Sequence, residues 1–596
     1  MKLRFFPVCI VYIVWAFSLH AQSADSKEIT LLELKDYMSV LTSDSLQGRK
    51  PGTSGGRKAA QYIVDVFNQS DLELILENGY QPFDVVSSVK AGENNRCEFG
   101  SFQGIIHKDF NPLSFSKNSS FQGPVAFMGY GFELETDDLS WHDYQGMDLN
   151  GKWALILQGH PDKPELNTIF REHASLRKKA LVAKDHGAGG ILFVSGKLFD
   201  EKDVLNDIYY NKSQGHLGIP VLHIKRSIAD QLLARSGKQI ENLENTLNQT
   251  MTPIRFFIEE IVTGETDLFK EKTRTQNVVS ILRGNDSKLS EEFIVLGAHY
   301  DHLGLGGSGS GSRKPDTTAV HNGADDNASG VVSMLEISEK LAAHRNQLKR
   351  SVLFVAFGAE EMGTIGSRFF TENPPVPVTS IKAMINLDMV GRLDDESRTL
   401  SLGGTGTAEN FEEYLTEHLD VHDLKANFSP EGYGPSDHAA FYSHDIPVLS
   451  VMTGIHQDYH TPEDDIEKIN FVGQKEVSDF IYSLISDLAS RESNLIYKEA
   501  GPKEQANTGR KFKVTLGIMP DVAAGDVIGL RVSAVIPNRP AYKAGIEKGD
   551  VIVAIEGRKV GDIYEYMHRL SELKAGQRIS VEIVRNSDKR ILIVEL

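Results

Sequence analysis

The pattern of apolar and polar residues is most regular between residues 276 and 490. Short apolar runs typical of buried strands alternate there with amphipathic stretches typical of helices. This alternation favours a mainly parallel sheet with helices on both faces. The predicted strands are 278–282, 293–298, 351–357, 383–387, 400–402 and 447–452, and the predicted helices are 330–343 and 474–488.

The segment before this region has two patterns. Residues 28–75 alternate helical and loop character, and a glycine-rich turn at 48–56 opens an amphipathic stretch at 59–67. Residues 85–275 contain strand-like runs around one helical pattern at 174–186. We therefore expect residues 85–275 to form a compact α+β module of their own.

The segment after this region divides into a linker and a small module. Residues 491–510 are polar and predict a linker. Residues 511–596 contain short strand-like runs and two helical segments. The sequence pattern therefore predicts at least three folded parts.

The first 21 residues have the layout of a secretory signal peptide. Lys2 and Arg4 precede an apolar run at 5–17, and a small residue, Ala21, stands before a polar stretch. The run is shorter than the ~20 residues of a membrane-spanning helix. We expect cleavage after Ala21 and export to the periplasm or the extracellular space, with no stable membrane span in the mature protein.

Composition excludes several classes of protein. The 596 residues carry 63 Lys+Arg and 82 Asp+Glu, a formal net charge of −19, and no basic block, so nucleic acid is not an expected partner. Of the two cysteines, Cys9 would leave with the signal peptide, and Cys97 alone cannot close an internal disulfide. The fold must rely on its core or on metals.

Residues of metal-ligand type follow several predicted strands. His299 and Asp301 follow the strand at 293–298, Glu360 and Glu361 follow 351–357, and Asp388 follows 383–387. Two loops add more ligand-type residues, Asp325 and Asp326 before the helix at 330–343 and His460 after the strand at 447–452. Ligands bind at the carboxyl ends of strands in open parallel sheets, so we expect these side chains to meet.

Two histidines and several carboxylates, with no cysteine, are the donors that a pair of zinc ions uses when a position stays open for water. Glu360 and Glu361 are neighbours and cannot face the same way. One can bind metal while the other takes a proton from water and passes it to a leaving amine. Asp301 is suited to orienting the His299 imidazole.

The motifs resemble a known family. In order they are His299-Tyr300-Asp301, Gly323-Ala324-Asp325-Asp326-Asn327-Ala328-Ser329-Gly330, Ala359-Glu360-Glu361, Asn386-Leu387-Asp388 and Tyr459-His460-Thr461. This series is similar to that of the secreted co-catalytic two-zinc aminopeptidases, the family that includes glutamate-carboxypeptidase-like and transferrin-receptor-like chains. The resemblance covers residues 28–84 and 276–490, and it implies that residues 22–84 and 276–490 form one domain, with residues 85–275 inserted into it.

The resemblance implies a role for each position. Asp326 would bridge two Zn²⁺ ions, and the peptide bond after it would be cis. Glu361 and His460 would complete one zinc site, and His299 and Asp388 the other. Glu360 would be the general base. Tyr433 and Tyr459 would contact substrate.

Two further modules resemble known domains. Segments at 131–144, 149–155 and 188–193 resemble a protease-associated domain, and 516–519 and 540–552 resemble a PDZ domain. The implied fold class is α/β: a phosphorylase/hydrolase-like zinc exopeptidase domain with a mainly parallel mixed sheet, an inserted α+β protease-associated domain and a C-terminal PDZ domain, β-sandwich-like. A peptide C-terminus would bind as an added strand near Leu516-Gly517-Ile518.

These observations together predict an exported zinc aminopeptidase that acts on peptides. Two alternatives stay open. One is a carboxypeptidase or a glutaminyl cyclase on the same scaffold, since Arg392 lies four residues after Asp388 and could bind a free carboxylate. The other is a PDZ-containing binding protein whose metal site is vestigial.

Overall fold

The computed structural model describes residues 27–136, 139–161, 167–209, 216–307, 309–501, 514–520, 529–535, 539–561, 563–571 and 573–596. The predicted signal peptide and most of the second half of the predicted linker lie outside these ranges.

The helices of the described residues are numbered in chain order. They are α1 Leu31–Leu41, α2 Ser54–Gln69, α3 Asn167–His173, α4 Leu176–Asp185, α5 Arg226–Leu233, α6 Ile240–Thr250, α7 Gly330–Ala343, α8 Ile365–Glu372, α9 Phe411–Val421, α10 His438–Tyr442, α11 Phe471–Ser490, α12 Pro540–Lys543 and α13 Ile563–Ser571.

The strands belong to three main sheets and one small hairpin. They are β1 Glu73–Leu74, β2 Tyr80–Ala91, β3 Arg96–Phe99, β4 Phe102–Gln103, β5 Phe110–Pro112, β6 Ser119–Phe127, β7 Glu133–Glu135, β8 Ser140–His142, β9 Trp153–Leu157, β10 Gly190–Val194, β11 Val221–Ile224, β12 Phe256–Thr266, β13 Leu268–Leu282, β14 Phe293–His299, β15 Ser351–Phe357, β16 Ile381–Leu387, β17 Thr399–Gly403, β18 Lys425–Ser429, β19 Val448–Met452, β20 Ile518–Pro520, β21 Leu530–Val535, β22 Val551–Ile555, β23 Arg558–Lys559, β24 Arg578–Arg585 and β25 Asp588–Glu595.

The chain divides into two compact units. The first combines the residues up to Val85 with Thr273–Asn507. Its sheet has the strand order β1-β13-β15-β14-β16-β19-β17-β18, and β2 pairs with β13. The strands β15, β14, β16 and β19 run parallel, and β13 and β17 pair with them in the antiparallel direction. The carboxyl ends of the four parallel strands therefore lie at one edge.

The central strands of this sheet are buried on both faces. In β14, Ile294 and Leu296 pack into the cluster that contains residues of α1, α2, α7 and α11, while Phe293 and Val295 pack into the opposite cluster with residues of α8 and α10. Two apolar faces explain why this strand is a continuous apolar run in the sequence. The mixed α/β fold predicted for this part is confirmed.

The second unit combines Val86–Lys272 with Thr508–Leu596. Its larger sheet has the order β4-β3-β12-β6-β9-β10-β11-β5, with β6, β9, β10 and β11 parallel. Two clusters cover its faces, one around Trp153 and one around Phe193. The smaller sheet, residues 518–595, has the order β20-β21-β22-β24-β25, and β23 pairs with β22.

Within this second unit, a helix from the part with the larger sheet contacts a helix from the part with the smaller sheet. At the end of α4, Asp185 accepts two hydrogen bonds from Arg569 of α13, at 2.5 and 2.8 Å. Lys184 Nζ lies 2.8 Å from Glu565 Oε1, and both Glu565 and Arg569 are buried. The α4 helix of the insert and the α13 helix of the C-terminal module therefore share two ion pairs, and in each of them the partner on α13 is buried and the partner on α4 is partly exposed.

The structure extends most predicted elements by a few residues. The helix predicted at 330–343 is α7, with the same bounds, whereas the strand predicted at 293–298 includes His299 as its last residue. Among the described residues, no helix is both long and apolar enough to cross a membrane.

Candidate metal centre

The five predicted metal ligands meet at the carboxyl ends of the parallel strands. His299 Nε2 lies 3.4 Å from Asp326 Oδ1 and 3.5 Å from Asp388 Oδ1. His460 Nε2 lies 3.2 Å from both Asp326 Oδ2 and Glu361 Oε2. Asp326 therefore stands between two groups of donors and turns one carboxylate oxygen toward each.

Sheet topology explains this convergence. His299 ends β14, Glu361 follows its neighbour β15, and Asp388 follows β16 on the other side. Asp326 lies in the loop before α7, and the Asp326–Asn327 peptide bond is cis, as the resemblance implied. His460 lies in the loop between β19 and α11.

Hydrogen bonds set the orientation of both imidazoles. His299 Nδ1 donates to the carbonyl oxygen of Asp301 at 3.2 Å, and His460 Nδ1 donates to that of Gly311 at 3.1 Å. When Nδ1 carries the proton, Nε2 of a neutral imidazole presents a lone pair. Each histidine thus turns its ligand nitrogen toward carboxylates, the arrangement that usually accompanies a metal-binding histidine.

The spacing of the donors fits zinc. The four distances, 3.2–3.5 Å, exceed those of charge-assisted hydrogen bonds, about 2.7–2.9 Å. Ligands about 2.0–2.1 Å from a tetrahedral zinc ion are separated by roughly 3.3–3.4 Å. Asp326 Oδ2 is also buried without a hydrogen-bond partner among the described residues. The donors are therefore spaced to hold a metal ion, and such an ion would compensate the negative charge of the Asp326 carboxylate.

The pKa shifts of the clustered side chains also favour a bound cation. Burial lowers the pKa of His299, but the facing Asp326 and Asp388 outweigh burial and hold that pKa well above its ordinary value. Burial opposes ionisation of Asp326, but His299 and His460 hold the pKa of Asp326 well below its usual range. The carboxylates thus attract positive charge to the space between them, and a bound cation can supply it.

Glu360 stands apart from this donor set. Burial raises the pKa of Glu360 well above its ordinary value, His299 lowers it, and Asp437 and Glu361 raise it further. Its backbone N–H donates to Asp301 Oδ1 at 3.0 Å. A half-buried carboxyl group with a raised pKa beside metal ligands has the properties of a general base that must also release its proton.

Asp301 contacts the neighbouring loop more closely than the imidazole. Its carboxylate accepts hydrogen bonds from the backbone N–H groups of Glu360 and Glu361, at 3.0 and 3.3 Å. Asp301 Oδ1 is 4.0 Å from His299 Nδ1, and it is the Asp301 carbonyl that accepts the imidazole proton. The side chain therefore orients the two glutamates, whereas the sequence suggested that it orients His299.

His302 is a member of the site that the sequence analysis missed. Its Nδ1 lies 2.7 Å from Glu361 Oε1, and its buried Nε2 has no hydrogen-bond partner among the described residues. His302, Asp326 and Glu361 each offer an atom within 4.8 Å of one another. The contact holds one oxygen of Glu361 and leaves the other facing His460. A second histidine three residues after His299 was the available signal.

Asp464 and Arg392 support the loops around the ligands. Asp464 Oδ2 accepts hydrogen bonds from the backbone N–H groups of Asp325 and Asp326, both at 3.0 Å. Arg392 donates to Asp464 Oδ1 at 2.6 Å and to Asp458 Oδ2 at 2.8 Å. The Asp325 carboxylate accepts from Gly391 N and faces away from the donor set that Asp326 joins.

Arg49 ties the first segment of the chain to the site. Its guanidinium is 1% exposed and donates to the carbonyl oxygens of Tyr300, Asn322 and Gly323. A fourth acceptor is the carbonyl of Leu41. The loops that carry His299 and Asp326 are therefore held by one buried side chain from the glycine-rich turn.

The two predicted substrate contacts have different positions. The Tyr459 ring stacks on the His460 imidazole with centroids 3.8 Å apart, beside the donor set. Tyr433 packs against the hydrophobic cluster that contains Phe357 and Phe441. Ser436 donates to Asp388 Oδ2 at 2.7 Å and so positions a ligand.

A mixed α/β sheet that gathers two histidines and three carboxylates at the ends of its parallel strands defines a metal-dependent enzyme. Residues 277–485 match the model of peptidase family M28, and residues 509–596 match that of a PDZ domain. The chain carries a peptidase family M28 domain and a C-terminal PDZ domain, which confirms the resemblance drawn from the motifs.

Several known proteins are similar to the chain. Aminopeptidase YwaD of Bacillus subtilis (strain 168) is 24% identical over 460 residues, which cover 76% of this chain and 83% of that protein. Aminopeptidase Y of Saccharomyces cerevisiae is 24% identical over 436 residues, 70% of each chain. The solved structure of BSAP, a zinc aminopeptidase from Bacillus subtilis, is 20% identical, covers 78% of this chain and 97% of that chain, and has a TM-score of 0.49.

Proposed function

We propose that the protein is an exported zinc-dependent aminopeptidase that removes N-terminal residues from peptides. The observation that carries the proposal is the position of Asp326 between His299 with Asp388 and His460 with Glu361, at 3.2–3.5 Å. The similar aminopeptidases point to the same activity.

Asp326 would bridge two Zn²⁺ ions, with His299 and Asp388 completing one site and Glu361 and His460 the other. Bound there, the ions would supply Lewis-acid polarisation of the scissile carbonyl and a water molecule of lowered pKa. His302 and Ser436 would keep the second oxygens of Glu361 and Asp388 occupied, so that each carboxylate turns one oxygen to the metal.

Glu360 would take the proton of the attacking water and deliver it to the leaving amine. Its carboxyl group belongs to neither donor set, and Asp301 fixes the backbone from which it projects. The raised pKa of Glu360 in the ion-free cluster would fall when cations lie close by, because positive charge favours the carboxylate. The carboxylate form is the one that accepts a proton.

Arg392 bears on the choice between amino- and carboxypeptidase. A carboxypeptidase needs a cation for the free carboxylate of its substrate, and Arg392 was the candidate. Its two terminal nitrogens instead donate to Asp458 and Asp464. This pairing favours the aminopeptidase.

The PDZ domain would bind a peptide C-terminus. In the described part of its sheet, β20 is the edge strand, next to β21. Gly517 before it has a φ of +73°, and Leu516 is buried. An added peptide strand along β20, with its carboxylate at the backbone N–H groups of 516–518, is the expected mode.

The test is a substrate panel with metal analysis on the same sample. We expect hydrolysis of aminoacyl anilides and of carboxy-blocked dipeptides, no hydrolysis of amino-blocked dipeptides, and two equivalents of zinc. Activity should disappear with a chelator and return with zinc. Hydrolysis of amino-blocked dipeptides with a free carboxylate would instead establish a carboxypeptidase, and zinc binding without turnover would contradict a peptidase.

A further inference from the structure

A second cluster of acidic side chains lies between α1 and α7. Glu33 of α1 and Glu336 and Glu339 of α7 each offer a carboxylate oxygen within 4.8 Å of the others. Glu336 lies six residues into α7, roughly 9 Å along the axis from the end near Asp326. The Glu33–Glu336–Glu339 cluster is therefore separate from the candidate metal centre.

Several groups already contact these carboxylates. Tyr37 Oη and Ser70 Oγ donate to Glu339 Oε1 at 2.8 and 3.2 Å. Thr30 N donates to Glu336 Oε2 at 3.3 Å, and Thr30 Oγ1 donates to Glu33 Oε2 at 2.7 Å. These hydrogen bonds fix the carboxylates in one geometry, facing each other across a small space.

One carboxylate oxygen stays unsatisfied. Glu336 is 2% exposed, and its Oε1 is buried without a hydrogen-bond partner among the described residues. Burial, together with the neighbouring Glu33 and Glu339, raises the pKa of Glu336 to about 8. A buried, unpartnered acceptor is costly, so the oxygen needs either a proton or a cation.

Lys27 supplies only part of the compensating charge. Its ammonium contacts Glu339 Oε2, and its side chain is 43% exposed. One ammonium cannot balance three ionised carboxylates, and no contact joins it to Glu336 Oε1. A further cation is the ligand that the remaining acidic oxygens fit.

We propose that Glu33, Glu336 and Glu339 bind a divalent cation, Ca²⁺, that fastens the N-terminal segment to α7. All the donors are oxygen atoms, which hard cations prefer, and Ca²⁺ accepts irregular sets of carboxylates more readily than Mg²⁺, which keeps several of its waters. The ion stabilises the fold, and the proposal does not depend on the peptidase function.

The test uses the full-length, zinc-loaded protein and follows thermal unfolding at constant ionic strength. Adding 10 mM CaCl₂ should raise Tm by about 3 °C or more if the site binds with the roughly 10⁻⁴–10⁻³ M affinity of extracellular calcium sites. The variant Glu336→Gln should lose this rise. The control Asp36→Asn removes an exposed carboxylate from the same helix and should keep it.

A second measurement detects the ion directly. Tb³⁺ bound at the cluster would lie beside Tyr37, whose excitation should sensitise its emission, and Ca²⁺ should displace it. Emission should fall in Glu336→Gln and in Glu33→Gln. Glu33 is the half-buried member of the cluster, so Glu33→Gln keeps the proposal testable if Glu336→Gln does not fold. Equal Tm rises in the parent and both variants, or no rise in the parent, would overturn the proposal.

Discussion

At the scale of single residues, the two predicted ligand histidines are oriented by the same kind of hydrogen bond. Each gives its Nδ1 proton to a backbone carbonyl, Asp301 for His299 and Gly311 for His460, and turns Nε2 to the carboxylates. The imidazoles are therefore oriented by backbone that does not titrate. The ligand geometry depends on the loops and not on further ionisable side chains.

The substitution Glu360→Gln tests the general base. Since proton transfer of this kind is typically worth ~100-fold or more, we expect kcat to fall at least 100-fold while zinc content stays unchanged. The control Glu372→Gln alters an exposed glutamate at the end of α8 and should retain full activity. A loss of less than tenfold for Glu360→Gln would show that another group moves the proton.

His302 is a positioning residue for Glu361, and its role can be separated from folding. His302→Ala removes the donor at 2.7 Å from Glu361 Oε1, and loss of such a contact lowers metal affinity about 10–100-fold. His302→Asn can place an amide donor near the Nδ1 position and should recover part of the affinity. Zinc retention against a competing chelator measures both, and equal retention by all three proteins would contradict this role.

At the scale of elements, the β11 strand of the insert carries a buried histidine. Burial lowers the pKa of His223 to about 4, and its Nδ1 accepts the Asn206 N–H at 3.0 Å. Between pH 4 and 6.5 the unfolded chain binds a proton that the folded chain does not. Stability of this module should therefore rise with pH across that window, by up to about 3 kcal/mol from this group.

Urea unfolding followed by tryptophan fluorescence measures this prediction, because Trp141 and Trp153 both lie in the insert and are buried. In His223→Asn the pH dependence between 4 and 6.5 should weaken. His107→Asn changes an exposed histidine of the same module and should leave it unchanged. An equal slope in all three proteins would assign the effect to other groups.

The strands and the five ligands could be predicted because they depend on local pattern. Fully apolar runs such as 351–357 identify buried strands, and parallel strand ends meet at one edge. The residues that hold the ligand loops in place could not be predicted in the same way. Arg49 lies 251 residues from Tyr300, and Asp464 lies 138 residues from Asp326, so only tertiary structure reveals their contacts. The sequence pattern contains no signal for either pairing.

At the scale of the whole molecule, the ion pair between the buried Arg569 and the partly exposed Asp185 links the PDZ domain to the insert. Replacing Arg569 leaves the Asp185 carboxylate without its buried partner, which costs roughly 1–3 kcal/mol. We expect Arg569→Glu to increase hydrogen exchange in α4 and α13 about tenfold, since each ~1.4 kcal/mol corresponds to a factor of ten. The double variant Arg569→Glu/Asp185→Arg should restore protection, because it reverses both charges.

The matched control is Arg590→Glu, which reverses an exposed charge on β25 of the same domain. Hydrogen exchange in α4 of this control variant should equal that in the parent protein. If Arg569→Glu left the exchange of α4 unchanged, the pair would contribute nothing to the link between the two modules.

Arg49 has a consequence for the order in which the protein is built during synthesis. The residue emerges from the ribosome 251 positions before Tyr300, one of its acceptors. At about 5–20 residues per second, roughly 10–50 s pass before that acceptor exists. The turn around Arg49 must wait while the whole insert is translated, so the catalytic half of the molecule is completed late.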